Sequence, residues 1–248
     1  MSGHSKWASI KHKKGAADAK RGKVFTKLIR ELTVAARAGG GSADSNPRLR
    51  LAIQRAKDAN MPADNIDRGI KKGTGELEGV RYEEITYEGY GPKGVAIMIE
   101  ALTDNKNRTT SDVRNIFSKR GGNMAGQGAV GWIFEKKGYI VVQKGVVDED
   151  KLMSIALESG AEDMKTEESN YAITTSPADY EKVKKALEEN NIKIEVAEIT
   201  NVPKSLIKIA ADDAKKVLAL VNELEDSDDI QNVYANFDIP DDILKELE

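Results

Sequence analysis

The chain has 248 residues and a formal net charge of -3, from 38 Lys+Arg against 41 Asp+Glu. It has no Cys and two His, His4 and His12, which excludes disulfides, thiolate metal sites and thiol nucleophiles and leaves little for a zinc site or a His-based triad. No apolar run approaches the ~18 residues of a membrane span. The basic first twenty residues lack the apolar stretch of a secretory signal.

The small net charge hides a split. Residues 1–75 hold 17 Lys+Arg and 6 Asp+Glu, residues 76–140 hold 9 of each, and residues 141–248 hold 12 and 26. The blocks carry +11, zero and -14, which suggests a basic binding module joined to neutral and acidic ones. A cytoplasmic setting is consistent with the absence of Cys.

Residues 1–20 read as a basic arm, with Lys6, Lys11, Lys13, Lys14 and Lys20 around Trp7, Ile10 and His12. From about Arg21 to Ala38, Phe25, Leu28, Ile29, Leu32 and Ala36 follow helical spacing, and Gly39, Gly40 and Gly41 end the helix. Asn46-Pro47 starts a second helix, to about Ala59, with Leu49, Ala52, Ile53 and Ala56 on one face. Pro62 starts a third, with Ile66 and Ile70, closed by Gly73. Three short amphipathic helices make a small bundle.

Beyond Gly79 the period changes. Strands are predicted at 82–90, 94–102, 130–135, 138–143, 162–167, 170–175, 192–199, 205–210 and 231–237. Helices are predicted at about 108–120, 148–159, 177–190 and 211–225, with starts at Asp148 and Ser176-Pro177. The middle portion, 138–199, spells βαββαβ. The flanking strands 94–102, 130–135, 205–210 and 231–237, with their helices, spell a second. The expected fold is therefore a multidomain α and α+β chain: an N-terminal helical bundle, then two ferredoxin-like α+β domains, one inserted in the other, since the second pattern is complete only when the middle is removed; one continuous mixed sheet is the alternative. The expected domains are 1–75, 76–136 plus 203–248, and the insert 137–202.

On the first helix Lys20, Lys23, Lys27, Arg30 and Arg37 fall within about 100° of arc, opposite the apolar face. Such a stripe on a solvent face suits a phosphate backbone; an ordinary solvated face is the alternative. In the arm, Trp7 and His12 among the lysines can stack or contact phosphates, while Trp7 and Ile10 can equally anchor the tail. Arg48, Arg50 and Arg55 extend the positive field on the second helix, and at least one of them can instead cap a neighbouring helix or pair with Asp58 or Asp64. The run Thr103 to Thr110, dense in donors at a helix start, offers Asn105 and Arg108 to a polyanion, although helix capping accounts for part of it.

Gly126 to Gly131 matches G-x-G-x-x-G but enters a strand instead of opening a helix, so it is no dinucleotide fingerprint. The run Gly121 to Gly128 reads as a flexible loop able to lie close to another backbone, or equally as only a long connection. Acid pairs occur at Glu83-Glu84, Asp212-Asp213, Asp228-Asp229 and Asp241-Asp242. Glu83 and Glu84 point to opposite faces of a strand and do not suit a catalytic dyad, and Asp212-Asp213 fits a helix first turn. The acidic half reads as a solubilising surface or alternatively as a site for a basic protein partner.

Several segments carry a resemblance: Gly3-His4-Ser5-Lys6-Trp7-Ala8, Lys20-Arg21-Gly22-Lys23, Phe25 to Glu31, and Asn46 to Arg50. Ala59-Asn60-Met61-Pro62, Tyr87-Glu88-Gly89-Tyr90, the Thr103 to Thr110 run and the Gly121-Gly122 loop join them. Together they resemble the YebC/PmpR family over nearly the whole chain. The resemblance implies a helical N-terminal domain, two α+β domains and a cytoplasmic, non-enzymatic nucleic-acid-binding regulator. Members are described as DNA-binding transcriptional regulators. Others, including a mitochondrial translational activator, act on the ribosome during difficult, for example proline-rich, peptide synthesis.

The reading that follows is a DNA-binding transcriptional regulatory protein without cofactor, metal, membrane partner or small-molecule substrate. The alternative is a ribosome-associated translation factor that binds ribosomal RNA.

Overall fold

The computed structural model describes residues 18–167 and 169–239, with side chains from Gly22 onward. Helix α1 spans Asp18–Gly39, α2 Pro47–Asp58 and α3 Ala63–Thr74. The apolar stripe read from the sequence is their shared core. Leu32, Ala35, Ala36, Leu49, Ala52, Ala56 and Ile66 are buried, with Phe25, Leu28, Ile29, Ile53 and Ile70 against them. Each large aliphatic side chain so buried contributes roughly 1.5–3 kcal/mol.

Asn46 fixes the turn between α1 and α2. Its Oδ1 accepts from Leu49 N at 3.0 Å, and its Nδ2 donates to the Ala35 and Gly40 carbonyls at 2.8 and 2.9 Å. One side chain thus caps the new helix and satisfies carbonyls at the end of the old one. Helix α3 runs past Gly73, and Gly75 takes the left-handed conformation at φ 87°. Gly73 is instead a contact glycine, where a Cβ would sit 2.7 Å from Ala36 Cβ and would strike the Thr33 carbonyl.

Strand β1 (Glu83–Tyr90) and β2 (Ala96–Thr103) form an antiparallel hairpin across the turn Pro92–Gly94. Helix α4 (Lys106–Lys119) follows, then β3 (Asn123–Ala125), which pairs with β1. A single turn of 3₁₀ helix at Gly131–Ile133 leads into β4 (Phe134–Gln143). Then come α5 (Glu149–Glu158), β5 (Ala161–Thr166), β6 (Asn170–Thr175), α6 (Tyr180–Glu189) and β7 (Ile194–Pro203). After β8 (Ile207–Lys208), α7 (Ala211–Glu225), β9 (Ile230–Ala235) and β10 (Phe237–Asp238) complete the described chain. No described helix is long and apolar enough to cross a membrane.

The first sheet has the order β3-β1-β2-β9 and the second β5-β6-β4-β7. In the first, α4 and α7 cover one face: Val113, Phe117, Leu220 and Leu224 meet Ile97, Ile99 and Ile230. The other face is covered by Val130, Ile133 and Phe134, packed on Ala96 and Met98. Strand β2 is thus covered on both sides, as its continuous apolar run requires. Its one acid, Glu100, accepts from Asn201, Asn232 and Tyr234. In the second sheet α5 and α6 bury Leu152, Ala156, Val183 and Leu187 on Ile140, Val142 and Ile173. Phe134 opposes Pro203, so the chain enters and leaves this sheet on neighbouring strands.

The expected pair of ferredoxin-like domains is overturned. Both four-stranded sheets are open, and the four strands assigned to the outer domain do not make one sheet. Of these, 94–102 and 231–237 pair as β2 and β9. Segment 130–135 becomes the 3₁₀ turn and the start of β4, and 205–210 supplies only β8, paired in parallel with β10. Their places go to β1 and β3. The reason is local: β1 meets β2 along eight consecutive partners after a tight turn, and short-range closure costs less entropy than a crossover.

Candidate nucleic-acid interface

The expected stripe on α1 does not face solvent along its length. Its middle part, Lys23, Lys27 and Arg30, lies on the acidic turn that follows α7. Lys23 Nζ reaches the Asp226 carbonyl at 3.1 Å and its carboxylate at 3.5 Å, and Lys27 Nζ donates to the Glu225 carbonyl at 2.6 Å. Arg30 Nη1 points at the carbonyls of Leu102 and Asp228, at 3.0 and 2.8 Å, and at Asp229 Oδ1 at 2.5 Å. The Arg30 side chain is only 13% exposed, and its guanidinium lies 5.3 Å from the Tyr82 ring centroid. The carbonyls at the end of α7 carry the negative end of that helix, which suits cations.

Asp229 is the centre of this contact. Its buried carboxylate takes Arg30 on Oδ1, while on Oδ2 Arg108 Nη2 lies at 2.8 Å, Thr109 Oγ1 at 2.6 Å and Thr103 Oγ1 at 3.3 Å. Burial pushes the Asp229 pKa up, but Arg108, Thr109 and Arg30 outweigh it and hold the group at about 2. The acid pair read as surface thus contributes the ion that joins the helical bundle to the first sheet. No spacing in the sequence marks it.

The other expected site residues divide. Arg48 bridges two acids, with Nε on Glu31 and Nη1 on Glu84, each at 2.8 Å. Asn105 caps α4, its Oδ1 accepting from Arg108 N at 3.1 Å. Arg108 binds Asp104 as well as Asp229. Arg50 is exposed and touches only the Ala43 and Asp44 carbonyls at 3.3 and 3.5 Å. Arg37 is exposed at the end of α1. Lys6, Trp7, Lys11, His12, Lys13 and Lys14 lie outside the described residues, as does the side chain of Lys20. Arg37, Arg50, Lys57 and Arg68 are exposed and, among the described residues, enter no ion pair.

The glycine loop is not the free segment expected. Glu88, buried on β1, accepts the backbone N–H of Gly128 at 2.7 Å, Val130 at 2.6 Å and Gly131 at 2.7 Å. Burial raises the Glu88 pKa, and the three N–H donors more than reverse that and hold it below the usual carboxylate range. Directly after this clasp stands Trp132, 69% exposed. Among the described residues there are no clusters of His, Cys, Asp or Glu suited to a metal ion.

Two family models match the chain: the TACO1/YebC protein N-terminal domain over residues 5–76, and the TACO1/YebC second and third domain over residues 82–237. A probable transcriptional regulatory protein of Dictyoglomus turgidum is 57% identical over the full length of both chains. One from Desulforapulum autotrophicum is 60% identical over 98% of each. A crystal structure of a conserved hypothetical protein from Aquifex aeolicus superposes with a TM-score of 0.80 at 53% identity, covering 92% of this chain and 94% of that one. With both models matched in order and relatives aligned end to end, the chain belongs to the TACO1/YebC family.

Proposed function

We propose that this chain is a cytoplasmic, nucleic-acid-binding regulator of gene expression. Its basic N-terminal region binds the phosphate backbone, and duplex DNA is its target. The observation that carries this reading is the segregation of charge: +11 within residues 1–75 of a chain whose total is -3. Lys23, Lys27, Arg30 and Arg48 are engaged inside the molecule, and the exposed Arg37, Arg50, Lys57 and Arg68 are left for phosphates. The naming of the relatives as probable transcriptional regulatory proteins supports the same reading. Phosphate contacts of this kind position a protein without reading sequence.

The test is anisotropy of a labelled duplex of about 30 base pairs across roughly 50–200 mM salt. Affinity falls steeply, and Ala at Arg37, Arg50, Lys57 and Arg68 flattens the log–log slope by up to about 0.9 for each phosphate no longer neutralised. A flat salt response, or a slope the fourfold variant leaves unchanged, overturns the reading. Ribosomal RNA bound more tightly than the duplex moves the target to RNA.

A further inference from the structure

Trp132 is the most exposed large apolar side chain among the described residues, at 69% against 49% for Val80, the next. It is also held in place. Its indole Nε1 donates to the Ala129 carbonyl at 3.1 Å. The residues on either side are fixed by the Glu88 clasp on Gly128, Val130 and Gly131, and by burial of Val130, Ile133 and Phe134. An exposed indole on a rigid mount costs little entropy to use. Its single polar group is already taken, so only the ring faces remain for a partner.

The chain just before the ring is open, since a Cβ at Gly126 or Gly128 would meet nothing within 4 Å. Lys204 N donates to the Ile133 carbonyl at 2.9 Å, which places that exposed lysine beside the ring's own neighbour. Lys136 is exposed two residues beyond Phe134. Neither lysine enters an ion pair among the described residues; the adjacent acid Glu135 is held by Lys137 at 2.8 Å and also feels the charge of Lys204. Lys136 comes from the charge-neutral block 76–140 and Lys204 from the acidic block 141–248.

We infer that Trp132 is a stacking platform for an unpaired base of single-stranded nucleic acid, with Lys136 and Lys204 taking the flanking phosphates. The inference rests on the nucleic-acid reading above and gives it a second contact point outside the N-terminal region. A ring face beside cations suits a base, whose π-face stacks whatever its identity, and whose phosphates need the charge. Ala129 already engages the indole N–H, so a partner meets the ring through its faces.

The experiment uses the full chain carrying Trp7→Phe, so that Trp132 is the sole indole, and single-stranded dT and U oligomers of about 12 nucleotides beside a duplex. Both single strands quench Trp132 emission to saturation. In that background Trp132→Leu and Trp132→Ala weaken single-strand binding about 5- to 150-fold, and Trp132→Phe retains most of it. Circular dichroism melts of the variants match, since the side chain is exposed.

Binding without quenching, or a Leu variant as good as Trp, overturns the platform. So does a concentration-dependent change in emission, without oligonucleotide, that accompanies a doubled sedimentation mass; a second copy then covers the ring. If salt-dependent duplex binding persists while single strands leave Trp132 untouched, the platform alone fails. If no nucleic acid binds, the proposed function fails with it.

Discussion

Replacing Asp229 by Asn tests the contact between the helical bundle and the first sheet. The Asp229 carboxylate is buried and faces Arg30 at 2.5 Å and Arg108 at 2.8 Å. Its folded-state pKa of about 2 lies below the ordinary 3.8. Between those values the unfolded chain binds more protons, so stability rises with pH there and is lost as pH falls through about 2. The difference corresponds to about 2 kcal/mol at neutral pH. Asn removes that and leaves the Arg30 guanidinium without its counter-ion in a site 13% exposed. Breaking a buried pair from one side costs roughly 3–5 kcal/mol, and that range is expected at about pH 7. Urea unfolding of both chains at about pH 7 and about pH 2 measures it. The gap should narrow by about 2 kcal/mol at the lower pH. A gap that stays the same at both pH values refutes the ionic account, and a gap under about 1 kcal/mol at neutral pH refutes the contact itself.

The same contact makes Arg30→Ala costly, about 3 kcal/mol or more in urea unfolding. Lys23→Ala, exposed on the same stripe, stays within about 0.5 kcal/mol. Glu88→Gln keeps one acceptor for three N–H groups. The expected loss is about 1–3 kcal/mol, with faster hydrogen exchange at Gly128, Val130 and Gly131. Gly73→Ala gains up to about 1 kcal/mol of helix propensity, but its new methyl meets Ala36 and the Thr33 carbonyl. A net loss of about 1–3 kcal/mol in thermal melts is expected, and a stabilised variant would show that α1 and α3 can move apart.

The helical bundle was legible because its determinants are local. The Asn46-Pro47 start and the Leu49, Ala52 and Ala56 face act within one or two turns, and they form as read. The strands were located more easily than they were paired. Alternation and apolar runs mark β1, β2 and β9, yet nothing in 130–135 signals that it turns as 3₁₀ helix before joining β4. Side-chain use was the least legible. Helical phasing correctly set Lys23, Lys27 and Arg30 on one face, but phasing says only which residues share a direction. What lies in that direction is a turn far away in sequence, with separations of 203, 198 and 199 residues. Glu88 was hidden for the same reason: its donors are 40 to 43 residues on.

The charge asymmetry of the chain therefore has two parts. Cations aimed at residues 225–229 are matched by carbonyls and carboxylates of the acidic half, so part of the +11 and part of the -14 cancel within the folded molecule. The acidic half is then more than a solubilising surface, because it supplies the counter-surface that orients the bundle. Cations beyond the reach of that turn, Arg37 further along α1 and Arg50, Lys57 and Arg68 on the other helices, find no such match among the described residues. A positive field that survives internal pairing is the part available to a phosphate backbone. It follows that raising salt should weaken nucleic-acid binding well before it loosens the bundle. Exposed cations are screened over about 10 Å at roughly 0.1 M salt, while the Arg30–Asp229 pair, being buried, is screened much less.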